Sequence, residues 1–81
     1  MSPKRREVVV PPKVVEHLQS FKPSPEEFDA VKAMLTDLGG DPNLGYKIAF
    51  LRDLYRVDVG RFRVHYSITP DHIGVSFIGV Y

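Results

Sequence analysis

The chain has 81 residues, of which 43% are hydrophobic and 26% charged, with a net charge of +1 and no cysteine. That length holds one domain, that composition excludes wholesale disorder, and the missing thiols exclude disulfides, thiolate metal sites and a cysteine nucleophile. No apolar stretch is long enough to span a bilayer or to form a signal core, so the expectation is a soluble, cytoplasmic single domain over 1–81.

Residues 1–6 are polar and basic at Lys4-Arg5-Arg6 and read as a disordered tail. Val8-Val9-Val10 is β-branched and predicts a strand, which Pro11-Pro12 ends. Val14, Val15, Leu18 and Phe21 then recur at helical spacing, giving a short amphipathic helix from Pro12 to about Ser20. The next helix is the best marked. Ser24 caps it, Pro25 suits the first helical position, and Glu27 completes a capping box with Ser24. Phe28, Val31, Leu35 and Leu38 form its apolar stripe, Gly39-Gly40 reads as a left-handed stop, and Pro42 prevents resumption. Residues 41–53 read as a turn-rich connector.

From Leu54 the apolar period changes to two. Tyr55, Val57 and Val59 alternate with Arg56 and Asp58; after Gly60, Phe62, Val64, Tyr66 and Ile68 alternate with Arg61, Arg63, His65 and Ser67. Thr69-Pro70-Asp71-His72 is a turn, and a last strand runs from Ile73 to about Val80, with Ile73, Val75 and Phe77 on one face. The order β-α-α-β-β-β predicts an α+β domain, with two N-terminal helices packed on one face of a small antiparallel sheet. Val8–Val10 adds an edge strand to the three-stranded meander. The expected core is Phe28, Val31, Leu35, Leu38, Val57, Val64, Tyr66 and Phe77.

Charge is unevenly spread. Residues 1–43 hold six Lys/Arg against seven Asp/Glu, whereas residues 44–81 hold Lys47, Arg52, Arg56, Arg61 and Arg63 against Asp53, Asp58 and Asp71. Strand alternation puts Arg61, Arg63, His65 and Ser67 on one face, with Arg56 and Asp58 beside them on the neighbouring strand. Stacked guanidinium groups repel one another but match phosphate oxygens bidentately, which points to an anionic partner. The plainer reading is an outer sheet face whose arginines pair with Asp58 and with the acidic helix. His17, His65 and His72 have no metal-ligand spacing, and the glycines form no phosphate loop, so neither a metal nor a cofactor is expected. Tyr46 and Tyr81 could stack on bases; Tyr55 and Tyr66 have the parity of the core.

The run Leu54-Tyr55-Arg56-Val57-Asp58-Val59-Gly60-Arg61-Phe62-Arg63-Val64-His65-Tyr66, followed by a turn and an apolar strand, resembles the signature of the RelE/ParE toxin superfamily. The preceding strand, helix, capped helix and Asp41-Pro42-Asn43 turn fit the same order. The resemblance implies a RelE-like fold and the toxin of a type II toxin–antitoxin pair. In the RelE and YoeB branches, that means a ribosome-dependent mRNA endoribonuclease, or mRNA interferase. Its partners would be a cognate antitoxin, the ribosome and mRNA. Cleavage there is metal-independent: the RNA 2′-hydroxyl attacks its own 3′-phosphate. Arg63 matches the family's arginine after the aromatic residue, Tyr81 the terminal tyrosine of the YoeB-like branch, and His65 is the one histidine on the basic face. These three are the candidate catalytic residues, with Lys47, Arg52, Arg56 and Arg61 as candidates for holding the RNA backbone. Two departures stand out. Gly79-Val80-Tyr81 lacks the arginine of the family's glycine-x-arginine ending, and Val80 replaces the histidine of the histidine-tyrosine ending. A gyrase-inhibiting toxin of the ParE type, or an inactive RelE-fold binding protein, therefore stand as alternatives.

Overall fold

Prolines and side-chain caps punctuate the first half of the molecule; the computed structural model describes residues 5–48 and 53–80. Strand β1 (Glu7–Val9) leads to helix α1 (Pro12–Ser20), which has a proline in its first turn, where an absent N–H costs nothing. Helix α2 (Pro25–Gly40) starts on the expected capping box. Ser24 Oγ accepts from the Glu27 N–H at 3.1 Å, and a Glu27 carboxylate oxygen accepts from the Ser24 N–H at 2.9 Å.

Gly39-Gly40 do not stop α2. Both belong to its last turn, and the helix ends at Asp41, extended at φ −142°, whose carboxylate accepts from the Asn43 N–H at 3.1 Å to open a 3₁₀ turn over Pro42–Leu44. Gly39 is needed for close approach instead: a Cβ there would stand 2.7 Å from the Arg6 carbonyl oxygen. The bare glycine lets the Arg6 N–H donate to Gly39 O at 2.8 Å, while Arg6 Nε donates to Thr69 O at 2.9 Å and Arg5 donates to Thr36 O. Arg5 and Arg6 are thus anchored to α2 and the last turn, unlike the free tail expected of them. Residues 1–4 lie outside the described residues.

The remaining strands are β2 (Tyr46–Lys47), β3 (Tyr55–Val59), β4 (Phe62–Ile68) and β5 (His72–Val80), in the sheet order β1-β5-β4-β3-β2. The meander β3-β4-β5 is antiparallel, as the pattern predicts, but β1 runs parallel to β5 with Val8 opposite Ile73. The sheet is therefore mixed rather than antiparallel: the helices carry the chain to the far edge, and the reversals from β2 onward bring β5 back running with β1. β2 is a fifth strand, inside the segment read as connector, with Tyr46 opposite Arg56.

Val14, Leu18, Val31 and Leu38 from the helices meet Val57, Phe62, Val64, Tyr66, Ile73, Val75 and Ile78 from the sheet in one buried cluster, with Phe28 and Leu35 half-buried at its border. Phe77 is not among them. Along β5, His65 faces Phe77 but Tyr66 faces Val75, so Ser76 is an extra residue, a β-bulge. One inserted residue moves every later side chain to the other face. Ile78 takes the core position, and Phe77 turns outward, 39% exposed. Tyr66 is buried with its ring stacked on Tyr55, centroids 5.6 Å apart. Its hydroxyl donates to Pro42 O at 2.8 Å and accepts from the Gly45 N–H at 3.0 Å, tying β4 to the 3₁₀ turn. No described helix is long and apolar enough to cross a membrane.

Candidate functional site on the outer face of the sheet

With Phe62, Val64 and Tyr66 turned toward the helices, alternation sends Arg63, His65 and Ser67 to the opposite, outer face of β4. Cross-strand register then assembles two rows on that face. Tyr46, Arg56, His65 and Phe77 are successive partners across β2, β3, β4 and β5. Asp58, Arg63 and Gly79 form the adjacent row. Arg63 is half-buried and directed away from the helices, as its register in the sequence predicts.

The other expected residues divide. Arg56 grips Asp58 with two parallel hydrogen bonds, Nε–Oδ1 at 2.9 Å and Nη2–Oδ2 at 3.0 Å, and its Cζ lies 5.7 Å from the Tyr46 ring centroid. That hydrogen bonding, helped by the nearby Arg63 and His65 charges, holds the Asp58 carboxyl below the usual carboxylate range. Arg61 does not share this face. It sits in the β3–β4 turn, where strand parity does not bind it, and its guanidinium bonds both Glu27 oxygens on α2, at 2.5 Å and 3.3 Å, with the Phe21 carbonyl at 3.2 Å. Lys47 is opposite Tyr55 in register, on the other parity from Tyr46, and lies 3.5 Å from Asp53. Arg52 and Tyr81 lie outside the described residues. The outer face therefore brings together Arg56, Arg63 and His65 but neither Lys47 nor Arg61. For Arg56 and Arg61 the plainer expectation holds, pairing with Asp58 and with the acidic helix.

His65 has an unusual setting. Its ring centroid lies 5.2 Å from that of Phe77, and its Nε2 is buried with no hydrogen-bond partner among the described residues. Burial pushes the imidazole below its ordinary value of 6.5, and the Arg63 and Arg56 charges push the same way against the weaker pull of Asp58. The neutral ring is thereby favoured at pH 7, a state suited to accepting a proton once Nε2 is reached.

Phe77 and Gly79 are the residues that sequence reasoning missed. The Phe77 ring lies over Gly79: a Cβ on Gly79 would stand 2.3 Å from Phe77 Cζ. Gly79 leaves a floor on β5 beside Arg63, and Phe77 occupies it. The i, i+2 spacing of Phe77 and Gly79 was visible, but the bulge that turns them both outward was not. No group of three His, Asp or Glu that could hold a metal ion occurs among the described residues. No protein-family model matches the chain, and no curated protein matches it.

Proposed function

We propose that this chain is the toxin of a type II toxin–antitoxin pair of the RelE/ParE kind, a ribosome-dependent mRNA endoribonuclease acting through the outer face of its sheet. The observation that carries the reading is the position of Arg63, on the outer face beside His65 and away from the helices. A guanidinium held by a sheet is preorganised for the charge that builds on phosphorus when a 2′-hydroxyl attacks the adjacent phosphate. The resemblance over residues 54–66 points to the same arginine, and the two helices and the β3-β4-β5 meander are compatible with the α+β architecture that it implies. An antitoxin segment rich in carboxylates would neutralise this face.

A binding-only toxin, directed at gyrase or inactive, is favoured by two observations: His65 Nε2 is buried in this conformation, and Val80 stands where the family's histidine would be. Inducible expression, followed by primer extension on cellular mRNA and a gyrase supercoiling assay, separates the readings. The nuclease reading expects growth arrest with new mRNA 5′ ends inside coding sequence and unchanged supercoiling. Growth arrest without new ends, or no arrest when the soluble protein accumulates, overturns it.

A further inference from the structure

We propose that Phe77 is a removable lid over an oxyanion-binding slot, whose floor is Gly79 and whose walls are Arg63 and His65, and that the groove beside α1 receives the ring when the slot opens. Three observations converge on this one side chain. The bulge at Ser76 puts an aromatic ring on the polar face, where it is 39% exposed. The ring rests on Gly79, the register partner of Arg63, so the space over that glycine is filled by a side chain rather than by backbone. His65, the register partner of Phe77, keeps Nε2 buried and unbonded among the described residues. A buried polar atom without a partner costs free energy, so the closed arrangement carries a penalty that a ligand hydrogen-bonding to Nε2 would remove.

The open position is also built. On its other side Phe77 borders a groove of about 200 Å³, lined with Lys13, Val14, His17, Ser76 and Ile78, and its ring centroid is already 5.5 Å from that of His17. An apolar cavity of about 150 Å³ accepts a benzene molecule, so this groove has room for the benzyl ring. A side-chain rotation between staggered wells would carry the ring from Gly79 toward α1, a motion that exposed side chains make in about nanoseconds or less. The freed slot would present a guanidinium and an imidazole above a strand with no side chain. That chemistry fits a tetrahedral phosphoryl group, which guanidinium binds through paired oxygens. The choice of phosphate rests on the RNA-cleaving reading; the lid does not. The groups facing His65 are Arg63 on its own strand, Arg56 and Asp58 on β3 and Phe77 on β5; His17 of α1 reaches it only across the Phe77 ring.

The test follows the His65 ring proton by NMR through a pH titration of wild type, Phe77→Ala and Gly79→Ala, each with and without inorganic phosphate. Gly79→Ala evicts the ring without altering it, and so stands if Phe77→Ala does not fold. Both variants are expected to raise the His65 pKa toward its ordinary value as water reaches Nε2. In Phe77→Ala, which leaves the Gly79 floor bare, phosphate affinity should rise about tenfold or more, because a closed ground state populates the binding-competent form at about 10% or less. In the wild type, a nuclear Overhauser contact between the Phe77 ring and the Gly79 α-protons should disappear at saturating phosphate. A contact that persists there, or a His65 titration identical in all three proteins, overturns the lid. A lid without cleavage activity would leave this inference standing and remove only the nuclease reading.

Discussion

Arg63 and His65 sit two residues apart on one strand, yet they make opposite demands on their surroundings. The guanidinium is useful as a fixed positive charge, and that same charge helps to keep its neighbour neutral. If Arg63 stabilises charge developing on phosphorus, Arg63→Ala should slow RNA cleavage by about 10²–10³-fold, the range for one preorganised donor. RNA binding should fall far less, since backbone contacts are distributed and salt-dependent. Primer extension at matched soluble levels measures the first and filter binding the second; unchanged cleavage would leave the mechanism without its main residue. His65 also makes stability depend on pH. Its folded-state pKa lies below the unfolded value of 6.5, so the unfolded chain binds the proton first as the medium is acidified. Its contribution is complete above 6.5 and is lost as pH falls through the folded value, before Glu27 and Asp58, both lowered by arginine hydrogen bonds, are lost from 4.5 and 3.8 downward. Thermal unfolding midpoints should fall between about pH 7.5 and about pH 5.5, and fall less in His65→Gln. Equal falls in both proteins would assign the acid sensitivity elsewhere.

Among the elements, the N-terminus of α2 carries more than its own cap. Glu27 closes the capping box with Ser24 through one hydrogen bond and holds Arg61 of the β3–β4 turn through others, so one carboxylate fastens the helix start to the sheet. Ser24→Ala should cost about 1 kcal/mol of unfolding free energy in urea denaturation. Glu27→Ala should cost more than Ser24→Ala, because it releases Arg61 as well, and Glu27→Gln should cost less than Glu27→Ala. The reverse order would show that cap and turn are uncoupled. The cap itself was legible because its chemistry is local: serine, proline and glutamate at fixed offsets. The change of apolar period near Leu54 was equally local and placed β3, β4 and Arg63 correctly. Other features depend on partners remote in sequence. Gly39 is explained by the approach of Arg6, not by a left-handed turn. β2, with two residues, is too short to show a period. The bulge at Ser76 is set by pairing with β4, and no property of Phe77 itself announces it. Arg61 has the spacing of a strand residue, and only the position of Glu27 draws it to the other side.

For the molecule as a whole, the buried cluster is supported by polar ties between distant segments. Tyr66 is the main one, its hydroxyl joining the centre of the sheet to the turn that follows α2. Tyr66→Phe keeps the ring and its stack on Tyr55 but strands the Pro42 carbonyl and the Gly45 N–H. The expected loss is about 1–3 kcal/mol, read by denaturant midpoint, with faster amide exchange at Gly45. A neutral substitution would show that water replaces the hydroxyl there. The parallel pairing of β1 with β5 has a further consequence, for the order in which the protein is made. A chain emerging from a ribosome presents β1, α1 and α2 before any of the surface that will cover them. The hairpins of β3, β4 and β5 close locally, but β1 must wait for the final strand to be translated. Until β5 is made, the apolar stripe of α2 and the edge of β1 are uncovered, and the nascent polypeptide would be open to chaperones and proteases. The amount of finished protein in a cell would then be governed as much by what meets the half-made chain as by the stability of the complete one.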